Sequence, residues 1–310
     1  MLKIVFLDAG TMGDTPLTSI AALGELTTYY SSTAEEARER ARGADVVLLN
    51  KVIVDEAFLD AAGPQLRLIC EAGTGINNIN VPLCDARGVL VRNVAAYSTD
   101  SVAQIAWMHI LNLAGCAFYY DEKVRSGSYS AGSVHTDPTT PFMELKGKRL
   151  GIVGMGAIGQ RVAAIGTAFG MEVQYFSTSG TAHCKDYPAV SLEELLSGSD
   201  VISIHAPYNE RTAGLIGYEQ VKKMKRTAFL VNTGRGGIAV EADLARALDE
   251  GLIAGAALDV YVKEPLPLDS PLMHLQHPER LRFSPHVAWS SREARQRLAE
   301  AMAENIKMGW

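Results

Sequence analysis

Arg149-Leu150-Gly151-Ile152-Val153-Gly154-Met155-Gly156-Ala157-Ile158-Gly159 is the stretch that decides how this chain folds. An apolar run leads into glycines spaced as G-x-G-x-x-G, and Arg161-Val162-Ala163-Ala164-Ile165 continues as a helical pattern. Strand, glycine turn and helix, in that order, form the setting that a dinucleotide fingerprint needs. Gly154 permits a turn closed to residues with a Cβ, and Gly156 lets a pyrophosphate approach the backbone. Gly159 lets the helix lie close to the strand. Backbone N–H groups and the positive end of the helix dipole then favour a phosphate anion. Gly154, Gly156, Ala157, Ile158 and Gly159 are the expected phosphate cradle.

Outward from this turn, two strand–helix series are predicted. The first has strands at Leu2–Leu7, around Leu26–Tyr30, Val46–Leu49, Leu66–Glu71 and Leu90–Arg92, with helices at Thr33–Arg42 and Asp55–Ala62. The second has strands at Arg149–Val153, Glu172–Phe176, Val201–Ile204, Ala228–Asn232 and Ala254–Leu258. Its helices lie near Gly159–Phe169, Ser191–Ser197, Tyr218–Met224 and Glu241–Glu250. Continuously apolar strands alternating with helices indicate parallel sheets covered on both faces. The fold class is therefore α/β, with two doubly wound parallel-sheet domains (Rossmann-like or flavodoxin-like) and a cleft between them. Thr99-Asp100-Ser101 caps a long apolar helix from about Val102 to Ser126, expected to be buried between domains or between subunits. A last helix near Ser291–Asn305 is expected to cross back to the first domain. The predicted organisation is 1–98 plus 289–310 as a discontinuous substrate-binding domain and 99–288 as a dinucleotide-binding domain.

A length of 310 residues suits two such domains. The net charge of −6 argues against a nucleic-acid partner, and no apolar run reaches the roughly 18 residues of a membrane span. The chain starts with a strand pattern, Leu2-Lys3-Ile4-Val5-Phe6, rather than a signal peptide. Cys70, Cys84, Cys116 and Cys184 lack CxxC spacing, so no metal site is expected and the thiols read as reduced, in a cytoplasmic protein.

Other segments bring the chemistry. Val231-Asn232-Thr233-Gly234-Arg235-Gly236-Gly237 ends a strand with an Arg fork suited to bidentate capture of a carboxylate. Ala257-Leu258-Asp259-Val260-Tyr261-Val262-Lys263-Glu264-Pro265 carries two carboxylates off another strand end. Phe283-Ser284-Pro285-His286-Val287-Ala288-Trp289 sets a His just beyond a short strand. Ligands of open α/β sheets bind off the carboxyl ends of the strands, so these groups are expected to face one crevice. The residue that usually holds the adenosine ribose through a carboxylate is here Ser177, followed by Thr178. A hydroxyl can bond the ribose but cannot repel a 2′-phosphate. The choice between NAD and NADP is thus open, with NAD the slight preference; His183 and Lys185 offer no obvious phosphate clamp.

On Gly154–Gly159, Asn232–Gly237, Asp259 with Glu264-Pro265, and Pro285-His286, the chain resembles the D-isomer-specific 2-hydroxyacid dehydrogenases along essentially its whole length. Asn50-Lys51-Val52, Gly73-Thr74-Gly75-Ile76-Asn77-Asn78, Tyr97-Ser98-Thr99-Asp100-Ser101-Val102-Ala103-Gln104 and His286-Val287-Ala288-Trp289 resemble the glycerate dehydrogenase (hydroxypyruvate reductase) branch. The resemblance implies that His286 is the acid for the ketone oxygen, Glu264 its partner, and Arg235 the carboxylate anchor. It implies that Asp259 anchors the nicotinamide side, and that Gly73, Thr74 and Gly75, with Lys51 nearby, grip the substrate. It also implies that Ala206, Pro207, Thr212, Thr233 and Gly234 line the cofactor. The expected reaction moves a hydride between NAD(P)H and a small D-2-hydroxy acid, first hydroxypyruvate or glyoxylate. Alternatives are a D-3-phosphoglycerate or D-lactate dehydrogenase and, outside catalysis, an NAD-sensing scaffold. The apolar segment Val102–Tyr120 and the resemblance both point to a homodimer.

Overall fold

The computed structural model describes all 310 residues, and the chain divides into two compact units, Met1–Ser98 with Trp289–Trp310, and Thr99–Ala288.

The first unit holds a five-stranded sheet: β1 (Leu2–Phe6), β2 (Gly24–Thr28), β3 (Val46–Leu49), β4 (Leu68–Glu71) and β5 (Leu90–Arg92), in the order β2-β1-β3-β4-β5. Every pairing is parallel. β2 starts and ends two residues before its expected position, because Gly24 packs its bare Cα against Leu2 in the first register pair. Alternate side chains sort to opposite faces. Ile4, Phe6, Val46, Leu48 and Leu68 pack with the helix Arg292–Lys307, while Val5, Leu7, Val47, Leu49 and Ile69 pack under the helices Ala34–Arg40 and Glu56–Ala62. The last helix therefore does return to this sheet, burying Ala294, Leu298, Met302 and Ile306. Thr33, Asp55 and Ser291, read as helical, are N-caps whose side chains accept from Glu36, Phe58 and Ala294 N–H groups. Such caps each stabilise a helix by about 1 kcal/mol.

The second unit holds a six-stranded parallel sheet: β6 (Arg149–Val153), β7 (Glu172–Phe176), β8 (Val201–Ile204), β9 (Phe229–Asn232), β10 (Gly255–Leu258) and β11 (Leu281–Phe283). The order β11-β10-β9-β8-β6-β7 puts the reversal of winding between β6 and β8, the position where doubly wound sheets open a crevice. Its helices include Ala157–Ala168, Leu192–Gly198, Tyr218–Val221 and Glu241–Asp249. The helix after the glycine turn starts at Ala157, two residues earlier than predicted, with Gly156 as its N-cap.

The long apolar helix is not continuous. It divides into Thr99–Ala114 and Ala117–Arg125, bent by 62° where Gly115 is followed by Cys116 in the left-handed region at φ 52°. Gly115 ends the helical ladder by donating to Leu111 C=O at 2.8 Å. Only the first half is buried: Ala103, Ala106, Trp107 and Ile110 pack against Leu150, Ile152, Val231 and Ala257 of this same sheet, so the helix is a core layer of its own unit. Ala117–Arg125 buries no residue. No single helix is long and apolar enough to cross a membrane.

Candidate active site

The register of the second sheet brings the chemistry together. Leu258 pairs with both Asn232 and Phe283, so β9, β10 and β11 end at one level. Thr233–Arg235, Asp259–Glu264 and Ser284–Ala288 leave these neighbouring ends in turn. His286 Nδ1 lies 2.7 Å from Glu264 Oε2, and both side chains are about one-fifth exposed (23% and 22%). A carboxylate at Nδ1 orients the ring and leaves Nε2 for chemistry.

His286 sits at φ 52°, a strained conformation for a residue with a Cβ. The strain persists because Asp259 fixes the loop. One Asp259 oxygen accepts from Ser284 Oγ (2.5 Å) and Val287 N–H (3.0 Å), the other from Ala288 N–H (2.9 Å). Asp259 has no exposed surface. Besides the role beside the nicotinamide that the resemblance implies, its carboxylate thus holds the segment that carries His286. Ser284 Oγ also lies 2.8 Å from His109 Nε2, while His109 Nδ1 is buried without a partner. Burial holds the His109 imidazole below its usual pKa, favouring the neutral ring.

Tyr261 ties the three loops together. Its N–H donates to Glu264 Oε1 (3.1 Å), and its hydroxyl donates to Ser284 C=O (2.8 Å) and Leu258 C=O (3.2 Å). Burial raises its pKa, keeping the phenol protonated as a donor. On its other side, the Tyr261–Val262 peptide is packed onto Gly236, where a Cβ would lie 2.0 Å from the Tyr261 carbonyl carbon. Arg235 is thereby locked next to the Glu264 loop. Its turn is closed by Asn232, whose side chain bonds Arg235 C=O and Gly234 N–H, and Arg235 Nη1 donates to Gly234 C=O at 2.9 Å.

The glycine turn lies at the winding reversal. Gly154 has φ 93°, and a Cβ there would lie 2.9 Å from Ala206 Cα, so only glycine fits. At Gly156 a Cβ would meet nothing within 4 Å, which leaves the backbone open to a ligand. Gly156 caps the helix with no side chain, and the N–H groups of Ala157, Ile158 and Gly159 take no protein acceptor. This is a cradle of the right chemistry for a pyrophosphate. Ala206 and Pro207 follow β8 beside it, joined to β6 by His205 N–H donating to Val153 C=O. Thr233 Oγ1 lies 3.2 Å from His205 Nδ1, and Ser203 Oγ lies 2.8 Å from its Nε2. Burial drives the His205 pKa down to about 3, so the ring is a neutral strut. Gly234 sits where a Cβ would lie 3.1 Å from Ala206 C=O. Thr212, expected at the cofactor, is fully buried and braces its own loop: Oγ1 donates to Pro207 C=O and accepts from Asn209 N–H. Ser177 and Thr178 follow β7 on the other side of the glycine turn, where Gly154 N–H donates to Phe176 C=O.

In the first unit, Lys51 and Gly73-Thr74-Gly75 follow β3 and β4. Asp8, beyond β1, accepts from Asn50 and Lys51 N–H groups, and burial pushes its carboxyl pKa up. Asn78 Nδ2 bonds Glu71 Oε2 (3.1 Å) and Val52 C=O (2.9 Å), and Thr74 Oγ1 bonds Val94 C=O. Trp289 packs edge-on to Tyr97 at 6.4 Å in this unit's core. Asp8, Glu71, Asn78, His109, Ser284 and Tyr261 were not singled out by the sequence reading. Ser284, beside the Pro285-His286 motif, Tyr261, between two carboxylates, and Asn78, at the end of the Gly73–Asn78 stretch, offered a local signal; Asp8, Glu71 and His109 offered none.

A family model described as "D-isomer specific 2-hydroxyacid dehydrogenase, NAD binding domain" matches residues 107–288. The chain is 39% identical to a glyoxylate reductase of Aeropyrum pernix over 90% of this chain and 83% of that protein. It is 35% identical to a glycerate dehydrogenase of Methylorubrum extorquens over 98% of this chain and 95% of that protein. An acyclic imino acid reductase (Bsp5), solved in complex with NADPH and D-Arg, superposes with a TM-score of 0.87 at 27% identity, over 99% of this chain and 96% of that one.

Proposed function

The chain belongs to the D-isomer specific 2-hydroxyacid dehydrogenase family, and from that premise we propose that it reduces hydroxypyruvate and glyoxylate to D-glycerate and glycolate with NAD(P)H. The observation that carries this reading is the His286–Glu264 pair, standing with Arg235 at the aligned ends of β9, β10 and β11. The relatives named glyoxylate reductase and glycerate dehydrogenase support this substrate class.

When bound, the reduced nicotinamide supplies the hydride for the 2-oxo carbon. Gly154, Gly156 and the N–H groups of Ala157–Gly159 hold the pyrophosphate, with Ala206, Pro207, Thr233 and Gly234 along the same crevice. Arg235 offers its planar fork to the substrate carboxylate and polarises the adjacent carbonyl. His286 gives a proton from Nε2 to the carbonyl oxygen, and takes it back in the reverse direction. Glu264 keeps the proton-bearing Nδ1 pointed at itself, and so sets the tautomer. Lys51 and Gly73-Thr74-Gly75 are the substrate-recognition elements of the first unit.

We assign the protein to a homodimer, an assignment supported by the exposed apolar side chains Leu111, Phe118, Val124, Val134 and Phe142 in one stretch of the chain. Light scattering should give twice the mass of one chain. Four unpaired cysteines support a reducing compartment, the cytoplasm. The deciding assay follows nicotinamide absorbance with hydroxypyruvate, glyoxylate, pyruvate and 3-phosphohydroxypyruvate, each with NADH and NADPH. Hydroxypyruvate or glyoxylate should give the highest kcat/KM. A higher value with 3-phosphohydroxypyruvate or pyruvate would overturn the substrate assignment.

A further inference from the structure

The turn after β7 carries a ligand chemistry of its own. β7 pairs with β6, the strand that leads into the glycine turn, so its end is the place where a nucleotide-binding sheet meets the adenosine ribose. A carboxylate there would bond the ribose 2′-hydroxyl and repel a 2′-phosphate. Instead, Ser177-Thr178-Ser179-Gly180 forms a turn closed by Gly180 N–H to Ser177 C=O at 3.3 Å. Ser177 Oγ and Ser179 Oγ lie 3.1 Å apart, and both donate to Thr181 C=O, at 2.6 and 3.2 Å. His183 Nε2 lies 3.1 Å from Ser179 Oγ. The N–H groups of Thr178 and Ser179 take no protein acceptor.

A cation reaches the same turn from another strand. Arg211, in the loop after β8, donates from Nη1 to Ser179 C=O at 2.7 Å. That loop is stiffened by Thr212 and by Asn209, whose Oδ1 accepts from Arg211 N–H. Arg211 is exposed and has no carboxylate partner; its one side-chain hydrogen bond is this one to Ser179 C=O, which leaves the other guanidinium N–H groups for a ligand. Two hydroxyls, an imidazole, two backbone N–H groups and a guanidinium are thus gathered where no carboxylate stands. Neutral ribose hydroxyls would use little of this set. A dianionic phosphate would use most of it, exchanging the serine bonds to Thr181 C=O for charge-assisted ones.

We propose that Ser177, Ser179, His183 and Arg211 form a 2′-phosphate subsite and that the enzyme takes NADPH in preference to NADH. The proposal rests on the dinucleotide reading of Gly154–Gly159 and deepens it. Discounted for exposure, the charge-assisted bonds should favour NADPH by about tenfold or more.

Isothermal titration calorimetry of the full chain with NADPH, NADH, 2′,5′-ADP and 5′-AMP tests this without turnover. NADPH should bind at least about tenfold tighter than NADH, and 2′,5′-ADP should outbind 5′-AMP by a similar factor. Arg211→Ala should shrink the NADPH-to-NADH ratio to within about threefold, and Ser177→Asp should reverse the preference by adding the missing carboxylate. Circular dichroism would verify that both variants are folded. NADH binding as tightly as NADPH in the native protein, or an Arg211→Ala ratio equal to the native one, overturns the subsite alone. Binding of neither dinucleotide overturns the subsite and the reductase reading together.

Discussion

Gly236 offers the sharpest test of how the catalytic loops are held. In Gly236→Ala the new Cβ would lie 2.0 Å from the Tyr261 carbonyl carbon, 2.3 Å from its oxygen and 2.4 Å from Val262 N. All three atoms are backbone, so no side-chain rotation relieves the clash. Ordinary contact begins near 3.4 Å, and the Arg235 turn and the Tyr261–Glu264 loop must therefore part by more than an ångström. Arg235 rides on one of these segments and Glu264 on the other, with His286 following through its 2.7 Å bond. A misplacement of about 1 Å costs on the order of a hundredfold in rate, so kcat/KM for the 2-oxo acid should fall by about that factor. Overpacking should also cost about 1–3 kcal/mol, lowering Tm by roughly 2–10 °C. Dinucleotide affinity, set at the glycine turn, should change much less. Steady-state kinetics, calorimetric titration of the cofactor and a thermal melt together read these effects. A variant with kcat/KM within about threefold of the native enzyme and an unchanged Tm would refute the claim that this contact sets the geometry.

Three further outcomes test individual side chains. His286→Ala should lower kcat by about two to four orders of magnitude, and a loss below about tenfold would remove His286 as the acid. Arg235→Lys should raise KM for the 2-oxo acid by about tenfold, because an ammonium lacks the planar fork; an unchanged KM would count against carboxylate capture. The third concerns pH. His205 is held near a pKa of about 3 in the fold, against about 6.5 when unfolded, so the unfolded chain binds its proton first. The stability of the neutral ring is fully present above pH 6.5 and is lost progressively as pH falls towards 3. In His205→Gln the drop in Tm between pH 7 and pH 5 should therefore be smaller by about 3–5 °C, and equal slopes in the two proteins would contradict it.

The two sheets were legible because parallel strands buried on both faces read as apolar runs, unbroken in Val46–Leu49 and interrupted only by Ser203 in Val201–Ile204. The Gly154 turn, Arg235, Glu264 and His286 were legible because each sits in a short motif whose chemistry depends on local spacing. Element ends were less so: Thr33, Asp55 and Ser291 fit a helical pattern, yet serve as caps. The break at Gly115-Cys116 was missed because the apolar pattern runs through it, and only backbone geometry shows the left-handed residue. Supporting contacts were the least visible. His109 meets Ser284 across 175 positions, and Arg211 meets Ser179 across 32, distances over which spacing carries no signal. Asp259 was recognised as a site residue, but its two oxygens serve a loop 25 to 29 positions away.

That use of Asp259 has a bearing on speed. A strained His backbone on an untethered loop would wander among conformers and be recruited afresh by every substrate. Here three donors converge on one buried carboxylate, so the entropy of immobilising the His286 backbone is surrendered once, when the polypeptide folds. With His286 as the proton donor proposed above, each catalytic cycle would begin with the donor already aimed, and less of the substrate's affinity would go to arranging it.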